Sequence, residues 1–119
     1  MRDLAPEIHR QRLVIEGYPE APITATDIAD YLSKLSEILQ MQVLQSPVTN
    51  LSSRYGWAGW IHWETSGAHF YAWEQPRLFF SVDIYTCRAF DPADAVRFTA
   101  EFFGVVDDDA IEYLSLIHI

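Results

Sequence analysis

The residues best suited to chemistry lie in one short stretch, HWETSGAHFYAW, at positions 62–73. Ser66 supplies a nucleophilic hydroxyl, and His62 and His69 supply bases whose ordinary pKa lies near neutrality. Ser66 and Gly67 are equally typical of a tight turn between two strands. The stretch therefore admits either a reacting serine or an ordinary turn residue.

A metal site is a second chemical interpretation of the same stretch. His62, Glu64 and His69 lie at spacings that let adjacent strands present metal ligands together. Two histidines and one glutamate are a weak pattern, however, so the sequence favours a structural role for these three residues and predicts no metal.

Composition limits the class of protein. A chain of 119 residues, half of them hydrophobic, predicts one globular domain. The net charge of −9 argues against a nucleic-acid partner. An acidic surface is typical of proteins that bind cationic ligands and also simply of soluble proteins, and the charge alone favours the second interpretation. No apolar run is long enough to cross a bilayer, so no membrane partner is expected. Cys87 is the one cysteine, which excludes an internal disulfide and indicates a cytoplasmic location.

Hydrophobic patterns predict the elements that position these residues. Helical periodicity after Thr24 predicts a helix from about 25 to 40, and Asp91 is typical of a helix start, with Gly104 ending that helix. Residues 107–114 predict at most one further helical turn. Strands are predicted over 12–17, 41–48 (weakened by Pro47), 57–64, 68–73 and 77–87, with a turn over 49–56.

Strict alternation in the last strands divides their side chains between two faces. Phe80, Val82 and Ile84 share an apolar face that helices would cover. The element order then predicts an α/β (α+β) two-layer sandwich, with a mainly antiparallel sheet and helices on one face. The opposite face would serve as a dimer contact or a ligand floor, and it would carry His69, Tyr71, Trp73, Asp83, Tyr85 and Cys87.

The predicted domain comprises residues 1–113. The last six residues, LSLIHI at 114–119, can be back-translated as a transposon end sequence used in preparing sequencing libraries. We therefore expect this segment to be a non-native tail, and it takes no part in the fold prediction.

Three segments resemble the short prokaryotic class of S-adenosylmethionine decarboxylase: GWAGWIHWETSGAHFYAW (56–73), SVDIYTC (81–87) and DPADAVRFTAEFFG (91–104). The resemblance implies a chain that cuts itself and converts a serine into a pyruvoyl group, its cofactor. The ketone of that group reacts with the substrate amine and accepts electrons as carbon dioxide leaves. The product of this family donates aminopropyl groups in spermidine biosynthesis.

The resemblance also implies roles for individual residues. The cut would fall between Thr65 and Ser66, and Cys87 would protonate the decarboxylated carbon. Tyr71 occupies the position of the histidine that assists processing in the family, and nearby His69 is a possible substitute. Trp73, Glu74 and Asp83 are the predicted substrate-binding residues for a cationic small molecule, and a homodimer is expected.

Several positions depart from the family pattern. Ala58 replaces a serine, Gly67 a histidine and Tyr71 a histidine, while Glu64 lies one place before the expected glutamate, which Thr65 replaces. These departures motivate an alternative of another class, an unprocessed homologue without catalysis that binds a ligand or a partner subunit.

Overall fold

The described chain forms one six-stranded antiparallel sheet with two helices on one face. The structure, a computed structural model, describes residues 2–117. Strand order across the sheet is β2-β3-β4-β5-β1-β6. This arrangement confirms the predicted sandwich. The elements are β1 (Gln11–Gly17), α1 (Ala25–Ile38), β2 (Val43–Ser52), β3 (Gly56–Trp63), β4 (Ser66–Trp73), β5 (Phe79–Thr86), α2 (Pro92–Phe102), a 3-10 turn (Asp108–Ala110) and β6 (Ile111–Ile117).

Both helices begin where side-chain capping predicts. The Thr24 hydroxyl accepts a hydrogen bond from the Asp27 amide at 3.1 Å, and the Asp27 carboxylate accepts one from the Thr24 amide at 2.9 Å. Asp91 caps α2 through the Ala93 amide at 2.9 Å. These bonds satisfy amide groups that the first helical turn leaves without partners. Neither helix is long and apolar enough to cross a membrane.

The core lies between the helices and one face of the sheet. Phe80, Val82 and Ile84 are fully buried, as the alternation in β5 predicts. Ala68, Phe70 and Ala72 continue that face in β4. Helix α1 covers it with Ile28, Tyr31, Leu32 and Leu35. Burial of each large apolar side chain stabilises the fold by about 1.5–3 kcal/mol, so this layer fixes the orientation of the opposite face.

The predicted turn over 49–56 is wrong. Strand β2 continues through Ser52, because Thr49 and Leu51 pair with Gly59 and Trp57 across β3. Its register shifts near Pro47, as expected for proline in an edge strand. The connecting turn is therefore much shorter than the predicted 49–56.

The chain also forms a sixth strand where only a helical turn was predicted. A short 3-10 turn leads into β6, which pairs with β1 over Ile111–Ile117. Its side chains are largely exposed on both faces, so the sequence lacks the alternation that identifies a half-buried strand. Residues 114–117 of the predicted tail continue this strand, while 118 and 119 lie outside the described residues. Their non-native origin stays a prediction.

Candidate functional site

The sheet face opposite the helices, hereafter the open face, contains a cleft of about 450 Å³ at the Ser66 end of β4. Strands β1, β3, β4 and β5 all contribute to it. We call it the Ser66 cleft. Its lining residues are Arg12, Trp60, Ile61, His62, Ser66, Gly67, Ala68, His69, Asp83 and Tyr85.

Ser66 is the first residue of β4 rather than the middle of a turn. It pairs with Trp63 on β3 and with Thr86 on β5, so only Glu64 and Thr65 form the turn. A serine at this place is held on both sides by strands of a rigid sheet. Its position relative to its neighbours is therefore well defined.

The backbone at Ser66 is strained. Its φ is +127°, in a region that residues with a side chain rarely adopt. Such a conformation costs about 1–3 kcal/mol and persists only when its surroundings impose it. The strained torsion follows directly after the Thr65–Ser66 peptide bond, where the resemblance predicts cleavage.

The carbonyl group of Thr65 is engaged by Cys87. The Cys87 amide donates a hydrogen bond to the Thr65 oxygen at 2.9 Å. Cys87 lies directly after β5, and its side chain is an exposed free thiol. The structure therefore brings Cys87 beside the predicted cleavage site. The family resemblance assigns both to one active site.

Glycine is required at position 67 because the backbone of β3 lies too close for a side chain. A Cβ atom at this position would lie 2.3 Å from the Ile61 carbonyl oxygen of β3. Any larger residue would push β3 and β4 apart at the cleft. Histidine, which the family pattern has at this position, would meet the same carbonyl oxygen in this chain.

The two candidate bases differ in position along β4. His69 lines the Ser66 cleft, whereas Tyr71 does not. At about 3.3 Å per residue, the Cα of His69 lies about 10 Å from that of Ser66, and the Cα of Tyr71 about 16 Å. The two rings are stacked, with centroids 6.2 Å apart. Tyr71 also pairs with Ala58, so these two departures from the family pattern are direct neighbours across β3 and β4.

Asp83 is already paired within the cleft. Arg12 donates to it through Nε at 2.9 Å and through Nη2 at 2.6 Å. These hydrogen bonds and the attraction of the carboxylate raise the pKa of Arg12. A cationic substrate would therefore compete with Arg12 for Asp83. Sequence reasoning missed Arg12, although alternation in β1 places it on the face opposite Leu13 and Ile15.

Trp73 and Glu74 lie at the other end of β4. Trp73 ends the strand and contacts Phe79, with ring centroids 5.2 Å apart. The Glu74 amide donates to the Tyr55 oxygen at 2.9 Å, while its side chain is exposed. Neither residue lines the Ser66 cleft. Within one chain, the structure does not bring these two predicted substrate-binding residues to Ser66.

Among residues 2–117, no three His, Cys, Asp or Glu side chains gather as a metal ion would require. His62 and His69 both line the cleft, but Glu64 belongs to the turn. The alternative of a metal centre built from these three residues therefore has no support in the geometry.

Comparison with known proteins gives one family and one fold. The family model for S-adenosylmethionine decarboxylase matches residues 13–113. The fold is similar to the crystal structure of the adenosylmethionine decarboxylase from Aquifex aeolicus VF5, with a TM-score of 0.68 at 17% identity. That match covers 92% of this chain and 89% of the other. No curated protein sequence matches this chain.

Proposed function

Because the chain belongs to the S-adenosylmethionine decarboxylase family, we propose that it processes itself between Thr65 and Ser66 and acts as a pyruvoyl-dependent decarboxylase. Its substrate would be S-adenosylmethionine or a related cationic amino acid. The observation that carries this proposal is the backbone conformation of Ser66.

That conformation favours attack of the serine hydroxyl on its own peptide bond. Around the N–Cα bond of an L-residue, Cβ is offset from the carbonyl carbon by about 120°. A φ of +127° therefore leaves Ser66 Cβ nearly eclipsed with the carbonyl carbon of Thr65. Attack by Oγ closes a five-membered ring, in which every torsion must be small. Ordinary strand values of φ, near −120° to −140°, hold the two atoms about 100–120° apart.

The Cys87 amide supports the same step electrostatically. Negative charge develops on the Thr65 oxygen when Oγ adds to the carbonyl carbon. A fixed N–H donor at 2.9 Å stabilises that charge without reorganising. Removing a donor of this kind typically slows acyl transfer by about 100- to 1000-fold.

The bond changes balance without an external reagent other than water. Ser66 Oγ bonds to the Thr65 carbonyl carbon, the C–N bond breaks, and an ester and a free amine result. Loss of the Ser66 Cα proton and cleavage of the Cβ–Oγ bond then release a Thr65 carboxylate. Hydrolysis of the remaining enamine releases ammonia and leaves a ketone at position 66.

His69 is the base that the geometry favours. It lines the Ser66 cleft. Ser66 and His69 are three residues apart on β4, so their side chains start from opposite faces of the strand and proton exchange would pass through more than one water. Tyr71 is farther along β4, about 16 Å from Ser66, and does not line the cleft. Tyr71 would assist Ser66 only from a second copy of the chain.

The pyruvoyl group would supply an electron-accepting ketone when it has formed. Around it, the chain's own residues have separate tasks. The exposed Cys87 thiol would donate a proton to the carbon left by carbon dioxide. Trp73 and Glu74 would attract the cationic part of the substrate, and Asp83 would do so in competition with Arg12. The product would serve spermidine biosynthesis in the cytoplasm.

A homodimer is part of the proposal. Aromatic rings on the open face support it, because Tyr71 is exposed and Trp60 and Trp73 are half-buried there, without a covering layer in the described chain. Sedimentation equilibrium checks it: twice the chain mass is expected, and a monomer at micromolar concentration contradicts it.

The cleavage step is tested by intact-mass measurement of the purified protein and of Ser66→Ala. The wild-type protein should yield two fragments that meet between positions 65 and 66. Ser66→Ala should remain one chain with an unchanged melting temperature. An uncut wild-type chain would contradict the proposal and leave an unprocessed homologue.

A further inference from the structure

Met41 lies directly behind the predicted cleavage site. It follows α1 and is 7% exposed, and its amide donates to the Ser36 oxygen at 2.8 Å. Its sulfur accepts a hydrogen bond from the Thr65 hydroxyl at 3.3 Å. The Thr86 hydroxyl approaches the same sulfur at 3.9 Å. The Met41 thioether thus contacts Thr65, which precedes Ser66, and Thr86, which pairs with Ser66 across β4 and β5.

These contacts complete a two-point attachment of Thr65. The Cys87 amide holds its carbonyl oxygen, and Met41 holds its side chain. Rotation of the Thr65–Ser66 peptide plane would break the hydrogen bond from Cys87, and displacement of Thr65 as a whole would break both. The attachment therefore limits the directions in which the Thr65 carbonyl can face the Ser66 hydroxyl.

The identity of the acceptor suits this position. A thioether is a weak acceptor that tolerates an apolar environment, so burying it without a strong partner costs little. A leucine of similar volume would preserve the packing and remove the acceptor. The half-buried Thr65 hydroxyl would then lose the hydrogen bond that orients it.

We propose that Met41 is a positioning residue for self-cleavage, acting through the Thr65 hydroxyl. This inference rests on the proposed function, because it concerns the rate of the same bond cleavage. This role requires no contact of Met41 with Ser66 Oγ or with the carbonyl carbon. It restricts the peptide that reacts.

The contact is first tested apart from cleavage. In the Ser66→Ala chain, a methyl-labelled methionine reports on Met41, since the sequence holds only one other methionine. Replacing Thr65 by valine should shift the Met41 methyl resonance, and Thr65→Ser should shift it less. An unchanged resonance in both variants overturns the inference whether or not the wild-type protein cuts itself.

The positioning role is then tested by a double-mutant cycle on the cleavage rate. Met41→Leu and Thr65→Val should each slow cleavage about 2- to 10-fold, the range expected for one hydrogen bond. The double variant should be no slower than either single variant, because both remove the same contact. Thr65→Ser should recover most of the rate. Leu39→Val is the matched control: it lowers stability near the same loop and should not slow cleavage.

The outcomes separate the two claims. If the wild-type chain stays uncut, the proposed function fails and this inference fails with it. If the wild-type chain cuts itself but the two substitutions are without effect or act additively, only the role of Met41 is wrong. Slowing by Leu39→Val equal to that by Met41→Leu would also reject it, because lost stability would then explain the change.

Discussion

The two ends of β4 differ in backbone geometry and in what surrounds them. At the Ser66 end the backbone is strained, the preceding carbonyl accepts from Cys87, and four strands enclose a cleft. At the Trp73 end the positive φ falls on Gly56, a residue type that adopts it without strain, and aromatic rings contact one another on a partly exposed face. Under the proposed function, bond making would take place at the first end, and the substrate would be recognised by aromatic faces and charge at the second.

A substitution of Cys87 tests which step at the Ser66 end needs its thiol. Cys87→Ala removes the thiol but keeps the amide that donates to Thr65. Cleavage should therefore proceed, while carbon dioxide release from the processed enzyme should fall about 100- to 10,000-fold, as expected for loss of a general acid. Radiometric or manometric carbon dioxide assay measures this. Equal loss of cleavage and turnover would show that the thiol acts before processing.

The difference between the two ends of β4 also predicts unequal effects for the two candidate bases. His69→Ala should slow cleavage by about 100-fold or more, as expected for loss of a general base. Tyr71→Ala should slow it less than about 10-fold, because Tyr71 lies farther from Ser66 along β4 and does not line the cleft. Rates come from the disappearance of intact chain by mass spectrometry. The reverse order would show that a second copy supplies Tyr71 to Ser66.

Gly67 tests how tightly the Ser66 end is packed. Gly67→Ala should lower the free energy of unfolding by about 3 kcal/mol, since the added methyl group meets the Ile61 carbonyl. Urea unfolding measures the change. Ser81→Ala, beside Tyr71 on the open face, is the control and should change stability by less than about 1 kcal/mol. Restoring the family's histidine at 67 should destabilise as Gly67→Ala does, and a neutral result would contradict the close approach.

Glu74 carries the smallest predicted effect. Its exposed carboxylate would attract a cationic substrate through water, so Glu74→Gln should raise KM about 2- to 5-fold. Steady-state kinetics at low and high salt check this, because the effect should shrink as salt screens the charge. A fall in kcat with unchanged KM would place Glu74 in the chemistry instead.

Much of the fold follows from the sequence because its signals are local. Alternation in β3, β4 and β5 identifies the buried face, and capping by Thr24 and Asp91 identifies the helix starts. Strand β6 escapes prediction because pairing with β1, rather than burial, holds it in place. An edge strand of this kind has no periodic signature.

The site is predictable only in part. Ser66, Thr65 and Cys87 follow from the family resemblance, and the structure brings them together. The eclipsed geometry at Ser66 has no sequence signal, since serine is not a residue expected at positive φ. The contact of Met41 with Thr65 also has no sequence signal, because it joins residues far apart in the chain. The ion pair of Arg12 with Asp83 could be predicted only by knowing that β1 pairs with β5.

The most direct test of the account is the chemical identity of the chain end at position 66. Purified protein is treated with a carbonyl-trapping amine and its fragments are sequenced by tandem mass spectrometry. The account predicts a fragment whose first residue has lost the serine amine and carries the amine adduct on a ketone. A single intact chain, or a fragment beginning with an unmodified serine, would contradict it.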